Sequence, residues 1–171
     1  MRILVLDIRK PIQTVCLIFA SLFFISLAEA KSVESFELSK SKLKLELEFS
    51  DPATKSYTSR LVSLVDIFIV EGEKVFGGPP KKANGEPYTS LKIRLSNGLG
   101  GEASPEFIDF RISNLKAFGF IDWEISLLHE VLHLWSGETF RYVDDQEQWF
   151  NEGVTEYLTF RIAAKLGIIK K

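Results

Sequence analysis

The chain contains 171 residues, of which 46% are hydrophobic and 26% are charged, and its net charge is −2. This composition is typical of one ordinary globular domain and excludes a disordered polymer or a multi-pass membrane protein. The 21 basic residues are balanced by 23 acidic residues, so the chain has no cationic excess with which to cover phosphates. We therefore expect no nucleic-acid partner.

The first thirty residues have the composition of an export signal. Basic residues precede an apolar run over residues 12–27, and Ala28-Glu29-Ala30 offers the small residues that a signal peptidase reads. We predict a signal peptide over residues 1–30 with cleavage after Ala30, which implies a secreted or periplasmic protein. The alternative is an uncleaved membrane anchor, because an apolar run of about 16 residues falls just short of a membrane-spanning helix.

The remaining residues, 31–171, have the length of a single domain. Cys16 is the single cysteine of the chain and lies inside the apolar run, so the processed protein would contain neither a disulfide nor a reactive thiol. The 141 residues that remain (171 minus 30) suffice for one compact domain but not for two. They contain no internal repeat.

The first half of this domain predicts one strand and one long helix. Residues 31–42 are rich in Ser and Lys and predict a loose segment. Apolar and charged residues then alternate, as in a strand with one buried face: Leu43, Leu45, Leu47 and Phe49. Asp51-Pro52 offers a helix start, and Gly77-Gly78-Pro79-Pro80 offers the end. Between them apolar residues recur at helical spacing, at Leu61, Leu64, Val65, Phe68 and Val75.

Two further strands follow. Leu91, Ile93 and Leu95 alternate with polar residues, and a second apolar stretch over residues 107–112 follows a glycine-rich turn at Gly98–Gly101. The order of elements predicts an α+β fold, in which a small mixed or antiparallel sheet packs on a long helix and more helix follows.

The candidate catalytic and metal-binding residues lie in the last third of the chain. Both histidines lie in His129-Glu130-Val131-Leu132-His133. Residues four apart on a helix lie on the same face, so the two imidazoles can bind one metal ion. In such sites the intervening glutamate, here Glu130, acts as general base on a metal-activated water. An apolar stripe and Gly137, placed to end the helix, support the helical assignment. The stripe consists of Leu128, Val131, Leu132 and Trp135.

A third ligand is expected, because catalytic zinc usually takes three protein ligands and keeps a fourth position for water. Eighteen residues, Leu134 to Asn151, separate His133 from Glu152, which lies in the run WFNEGVTEY. The run HEVLHLW, this spacing and WFNEGVTEY together resemble the gluzincin metallopeptidases. Among these, the sequence is most similar to the aminopeptidase N-like and glycyl-aminopeptidase-like families.

The resemblance implies a zincin-like catalytic domain over residues 31–171 that hydrolyses peptide bonds in a peptide or protein substrate. It implies Zn²⁺ as the cofactor, with His129, His133 and Glu152 as ligands and Glu130 as the catalytic base. It also implies that Glu156, one turn after Glu152, forms a hydrogen bond with a ligand histidine and fixes its tautomer.

The residues around these motifs are expected to pack in the protein interior or between the two helices. Gly153 lacks a Cβ and is expected to let the third-ligand helix approach the HExxH helix closely. Trp135, Trp149 and Phe150 are expected in the core, because large aromatic residues at helical spacing are mostly buried. Tyr157 is expected to pack as well, with substrate contact as the weaker alternative.

A glycine-rich segment upstream is the candidate for substrate binding. The family places the substrate backbone along an edge strand, and the corresponding segment here is Gly100-Gly101-Glu102-Ala103-Ser104. Gly101 would admit a peptide backbone, and Glu102 would attract a free amino terminus. The segment lacks the exopeptidase motif of the aminopeptidase N-like family, so the sequence favours an ordinary glycine-rich hairpin turn over substrate binding.

The C-terminal end departs from the family. The relatives continue into further helices with a tyrosine that stabilises the oxyanion, whereas this sequence ends nineteen residues after Glu152. That donor is missing unless Tyr142 or Tyr157 replaces it. Two functions stay open: a zinc-dependent peptidase, and a non-catalytic or truncated gluzincin-derived zinc-binding protein. Glu130 favours the first, because a structural site needs no base, and the short C-terminus favours the second.

Overall fold

The computed structural model describes residues 31–105, 107–113, 122–139 and 148–169. The predicted signal peptide with Cys16 and the cleavage position after Ala30 lies outside these residues, as does Tyr142. Contacts within the chain group Lys31–Lys171 into one unit. None of the helices in the described ranges is both long and apolar enough to cross a membrane.

The described residues have an α+β fold, as the order of sequence patterns predicts. In chain order the elements are β1 (Ser32–Glu37), β2 (Lys44–Phe49), a 3-10 helix (Pro52–Tyr57), α1 (Thr58–Phe76), β3 (Ser90–Asn97), β4 (Gly100–Ala103), β5 (Ile108–Ile112), α2 (Trp123–Thr139) and α3 (Gln148–Lys165).

The strands form one mixed sheet in the order β1-β2-β3-β5-β4. The central pairs β2–β3 and β3–β5 are parallel, whereas β1 and β4 add at the two edges in antiparallel orientation. The register pairs Leu47 with Ile93 and Leu95 with Phe110. Because side chains alternate between the two faces of a strand, these residues lie on one face and form the apolar layer of the sheet.

The helices bury this apolar face. Leu61, Val65, Phe68 and Ile69 of α1 are fully buried in the same cluster as the inward side chains of β2, β3 and β5. Burial of an aliphatic or aromatic side chain contributes about 1.5–3 kcal/mol, so this layer is the main source of stability. The core therefore lies between the sheet and the helices.

The long helix begins later than predicted. The carboxylate of Asp51 accepts a hydrogen bond from the Ala53 amide, but this interaction caps the 3-10 helix and not α1, which begins at Thr58. The predicted end is confirmed, because Gly77 follows Phe76 with φ of +79°. A left-handed residue directly after the last helical turn is readily supplied by glycine.

Three local predictions were wrong. Residues 31–42 contain β1, which pairs along its whole length with β2 and turns Phe36 towards the core. Gly100 and Gly101 begin the edge strand β4 instead of forming a turn. Gly137 does not end α2, which continues to Thr139, since one glycine costs a helix only about 1 kcal/mol.

Candidate metal centre

The helix α2 is oriented by a cap at its start and by an apolar face. The Asp122 carboxylate accepts hydrogen bonds from the backbone amides of Glu124 and Ile125, at 3.1 and 3.3 Å, which satisfies amides that have no partner within the helix. The predicted apolar stripe is confirmed as buried: Leu128, Val131, Leu132 and Trp135. This packing fixes the rotation of α2 about its axis.

Three candidate ligand atoms converge between α2 and α3. The Nε2 atoms of His129 and His133 lie 3.0 Å apart. Oε2 of Glu152, on α3, lies 3.2 Å from Nε2 of His129 and 3.5 Å from Nε2 of His133. The structure therefore brings together the three side chains that the sequence assigned as ligands, and this group could hold a metal ion.

The triangle of candidate ligand atoms is slightly smaller than a tetrahedral zinc site. Zinc forms bonds of about 2.0–2.2 Å to nitrogen and oxygen, so tetrahedral ligand atoms lie about 3.3–3.6 Å apart. The observed separations run from 3.0 to 3.5 Å, close to this range. Two imidazoles and one carboxylate are also a donor set that zinc accepts in catalytic sites.

The group remains accessible on one side. The Glu152 side chain is 46% exposed, and within the described ranges the candidate ligand group consists of these three residues. Structural zinc sites are closed by four protein ligands, whereas catalytic sites keep a position for water or substrate. Three ligands and an accessible side match the catalytic arrangement.

Glu130 lies next to this group and is largely removed from solvent. Its side chain is buried. Burial raises the pKa of its carboxyl to about 7, and the negative charge of Glu152 adds to the rise. His129 opposes the shift, as does a hydrogen bond from the backbone of Ala103. The carboxyl is thus desolvated and lies next to strand β4.

The glycine-rich segment lies against Glu130. A Cβ at Gly101 would lie 2.7 Å from Cγ of Glu130 and 3.0 Å from Cδ2 of Phe110, so only a residue without a side chain fits there without a shift. Glu102 is exposed and, as the next residue along the strand, points to the opposite face. Gly101 is therefore part of the candidate site, whereas Glu102 does not share its face.

The two histidines have different neighbours at their second ring nitrogen. Nδ1 of His129 lies 3.1 Å from Oε2 of Glu156, the carboxylate that the resemblance implies, although the ring N–H is not aligned as a hydrogen bond. Nδ1 of His133 lies 3.3 Å from Oγ of Ser136, which in turn lies 2.9 Å from Oγ1 of Thr155. Burial lowers the pKa of His133, and the neighbouring His129 adds to that effect.

Several packing predictions around α3 were wrong. Trp149, Phe150 and Tyr157 are exposed and not part of the core. A Cβ at Gly153 would meet nothing within 4 Å, so this glycine does not allow a close approach of the helices. The outward face of α3 carries these residues because Asn151, Thr155 and Leu158 occupy its inward face.

Sequence reasoning missed two features of the site. The proximity of the Ala103 backbone to Glu130 could not be predicted from the sequence, because it depends on strand pairing and not on the side chain of Ala103. Ser136 follows His133 by three residues on α2 and Thr155 follows Glu152 by three on α3, a spacing that places each on the face of a ligand. This spacing is a signal that the sequence contains.

The fold resembles that of one solved protein structure. A crystal structure of an aminopeptidase N family protein from Idiomarina loihiensis matches with a TM-score of 0.51 and 17% sequence identity, covering 82% of this chain. The match covers 26% of that protein's chain, so this chain spans about a quarter of its length. No family model and no curated protein matches the sequence. At 17% identity, the similarity between the two proteins shows a shared fold.

Proposed function

We propose that this domain is a zinc-dependent peptidase of the gluzincin type. The observation that carries the proposal is the convergence of His129, His133 and Glu152 beside the buried carboxyl of Glu130. A zinc ion held there would supply a Lewis acid that polarises a peptide carbonyl and makes a water more acidic. The fold of the aminopeptidase N family protein supports the same proposal.

Glu130 would act as the general base. Its carboxyl would take a proton from the attacking water and pass it to the leaving amine when the peptide bond breaks. The close approach of Gly101 limits the space open to this side chain. Glu156 would orient His129 through Nδ1, because a fixed second nitrogen leaves Nε2 directed at the metal.

Strand β4 would bind the substrate backbone. It is an edge strand, with β5 as its neighbour in the sheet, and it lies next to Glu130 through Gly101. An extended peptide that pairs with a sheet edge gains main-chain hydrogen bonds without dependence on its sequence. We therefore propose a peptide or protein substrate in extended conformation.

Two further parts of the proposal concern export and the type of peptidase. The segment 1–30 supports export, so we propose that the protein is secreted or periplasmic. Aminopeptidase action is the form that the name of the structural neighbour suggests. Comparing cleavage of peptides with free and with acetylated amino termini tests it, because only an aminopeptidase requires the free amine.

The central test measures zinc content and cleavage of a mixed peptide library for the full chain and three variants. Glu130→Gln should retain zinc and lose turnover, whereas His133→Ala should lose zinc and turnover together. Glu37→Gln is the matched control, since Glu37 is exposed on β1 at the other edge of the sheet. Equal background cleavage by wild type and Glu130→Gln would refute the proposal that the protein is a peptidase. Zinc retention without cleavage would then favour the non-catalytic zinc-binding alternative.

A further inference from the structure

A pair of hydroxyl groups lies directly behind one of the candidate ligands. Ser136 and Thr155 are both fully buried, and their oxygens lie 2.9 Å apart. Oγ of Ser136 also lies 3.3 Å from Nδ1 of His133 and 3.4 Å from the carbonyl oxygen of Leu132. The hydroxyl pair therefore joins the imidazole of α2 to the helix α3 that carries Glu152.

The arrangement can accept the ring proton of His133 when Nε2 binds a metal. A neutral imidazole carries one proton, so a metal on Nε2 requires the proton on Nδ1. Oγ of Ser136 can accept that proton in a hydrogen bond and direct its own proton to Oγ1 of Thr155. Because the pair is buried, no solvent competes for these bonds.

The two candidate ligand histidines thus have chemically different partners. Glu156 offers His129 a carboxylate whose side chain is 47% exposed. Ser136 offers His133 a neutral hydroxyl that is fully buried and supported by a second hydroxyl. A carboxylate partner makes an imidazole a stronger donor than a hydroxyl does, whereas the buried pair fixes ring orientation by packing as well as by hydrogen bonding.

We infer that Ser136 and Thr155 are positioning residues that hold His133 in the tautomer and orientation required for binding a divalent metal. The inference deepens the proposed metal site and rests on it. It assigns a role to two buried hydroxyl groups that neither the HExxH motif nor the third-ligand spacing includes. The predicted consequence is a loss of metal affinity in variants that keep all three ligands.

The test measures zinc affinity of the full chain by competition with a chelator of known affinity. Ser136→Ala and Thr155→Val should each weaken zinc binding about 10- to 100-fold, the usual effect of removing a group that orients a ligand. Thr155→Ser keeps the hydroxyl and should restore affinity to within about threefold of wild type. Circular dichroism of each variant checks that the fold is retained.

Thr159 supplies the matched control. It lies one turn after Thr155 on α3, is equally buried, and its hydroxyl donates to the Thr155 carbonyl oxygen instead of to a ligand partner. Thr159→Val removes a buried hydroxyl from the same helix, so a general loss of packing would affect it like Thr155→Val. We expect its zinc affinity to stay close to that of wild type.

A spectroscopic measurement separates positioning from a structural role. The chain has two histidines, so a nitrogen-15 spectrum of the untagged zinc-bound protein contains two imidazoles. In wild type the Nδ1 proton of His133 should exchange slowly with water, and in Ser136→Ala it should exchange faster. Equal affinity and exchange in Ser136→Ala, Thr155→Val and wild type would overturn the inference and leave the metal site standing. Absence of zinc binding by wild type would overturn both.

Discussion

Gly101 on the edge strand β4 lies against Glu130 on α2, and the space between them is too small for one additional carbon. A Cβ at position 101 would lie 2.7 Å from Cγ and 3.0 Å from Cδ of Glu130. Both atoms belong to the carboxyl-bearing end of the side chain, so any side chain at position 101 must displace the proposed base. This relationship links the glycine-rich segment to the chemistry of α2.

Gly101→Ala should therefore lower kcat more than it affects zinc binding. A displacement of about 1 Å can cost a catalytic group about 100-fold in rate, and we expect a loss of about 10- to 100-fold. The measurement is peptide hydrolysis together with zinc content. Gly78→Ala is the control, because Gly78 has open space around its Cβ position. Full activity in Gly101→Ala would exclude a close contact with the base.

Zinc should stabilise the folded protein if the three ligand side chains bind it. A ligand at a free concentration of 100 times its Kd adds about 2.7 kcal/mol to the free energy of unfolding. Thermal unfolding of wild type with and without zinc measures this shift, and Glu152→Ala should abolish most of it. Glu37→Ala should respond like wild type, because Glu37 lies at the other edge of the sheet. A shift that survives in Glu152→Ala would place the zinc elsewhere.

Gly72→Ala should destabilise the domain. Gly72 lies in α1 against the indole of Trp135, and a Cβ there would lie 2.4 Å from Cη2. The ring cannot move freely, because it stacks on Phe76 and its Nε1 donates to the Gly78 carbonyl oxygen at 2.9 Å. Overpacking typically costs about 1–3 kcal/mol, even though alanine favours a helix over glycine. Urea unfolding measures the difference, and a more stable Gly72→Ala would contradict this packing.

Glu48 should make stability depend on pH in the acid range. Its carboxylate contacts Lys31 at 3.1 Å and Lys92 at 2.6 Å, and hydrogen bonds from these two lysines lower its pKa from 4.5 to about 2, against a smaller opposing effect of burial. A lowered folded pKa stabilises the protein above the unfolded value, and this contribution is lost as the pH falls from about 4.5 towards 2.

The matching variant is Glu48→Gln. It should cost of the order of 1 kcal/mol at neutral pH, since the cationic partners are partly solvated. The difference in unfolding free energy between wild type and Glu48→Gln should shrink as the pH falls through that window. Glu37→Gln, at an exposed position on β1, serves as the comparison. A difference that stays constant down to about pH 2 would refute the role of the ion pairs.

The candidate ligands could be predicted because helical spacing is a local property. His129 and His133 share a face wherever α2 lies, and Glu152 lies one turn from Glu156 for the same reason. Which side chains of a helix are buried depends on tertiary packing and not on local sequence. Trp149 and Tyr157 have the hydrophobicity of core residues, yet the side of α3 that meets the domain is decided by Thr155 and Leu158.

The two edge strands, β1 and β4, were difficult to predict from the sequence because their conformation also depends on tertiary packing. The polar segment that contains β1 and the glycines of β4 have weak strand propensity, and their conformation comes from pairing with β2 and β5. The central strands could be predicted, because Leu45, Ile93 and Phe110 belong to apolar patterns that are visible without a partner. The spacing of Ser136 from His133 places it on the face of a ligand, but its partner Thr155 lies on another helix, so the contact between them depends on tertiary packing.

The polar inward face at the start of α3 has a consequence for local stability. Asn151 and Thr155 are its fully buried residues before Leu158, and the large apolar side chains at 149 and 150 point outward. In the amino-terminal half of this helix, Val154 is only partly buried against the core, and a cation shared with α2 would fasten this half to the domain. Chelation should then accelerate amide hydrogen exchange over residues 149–156 more than over residues 158–165, where Ile162 and Ala163 anchor the helix.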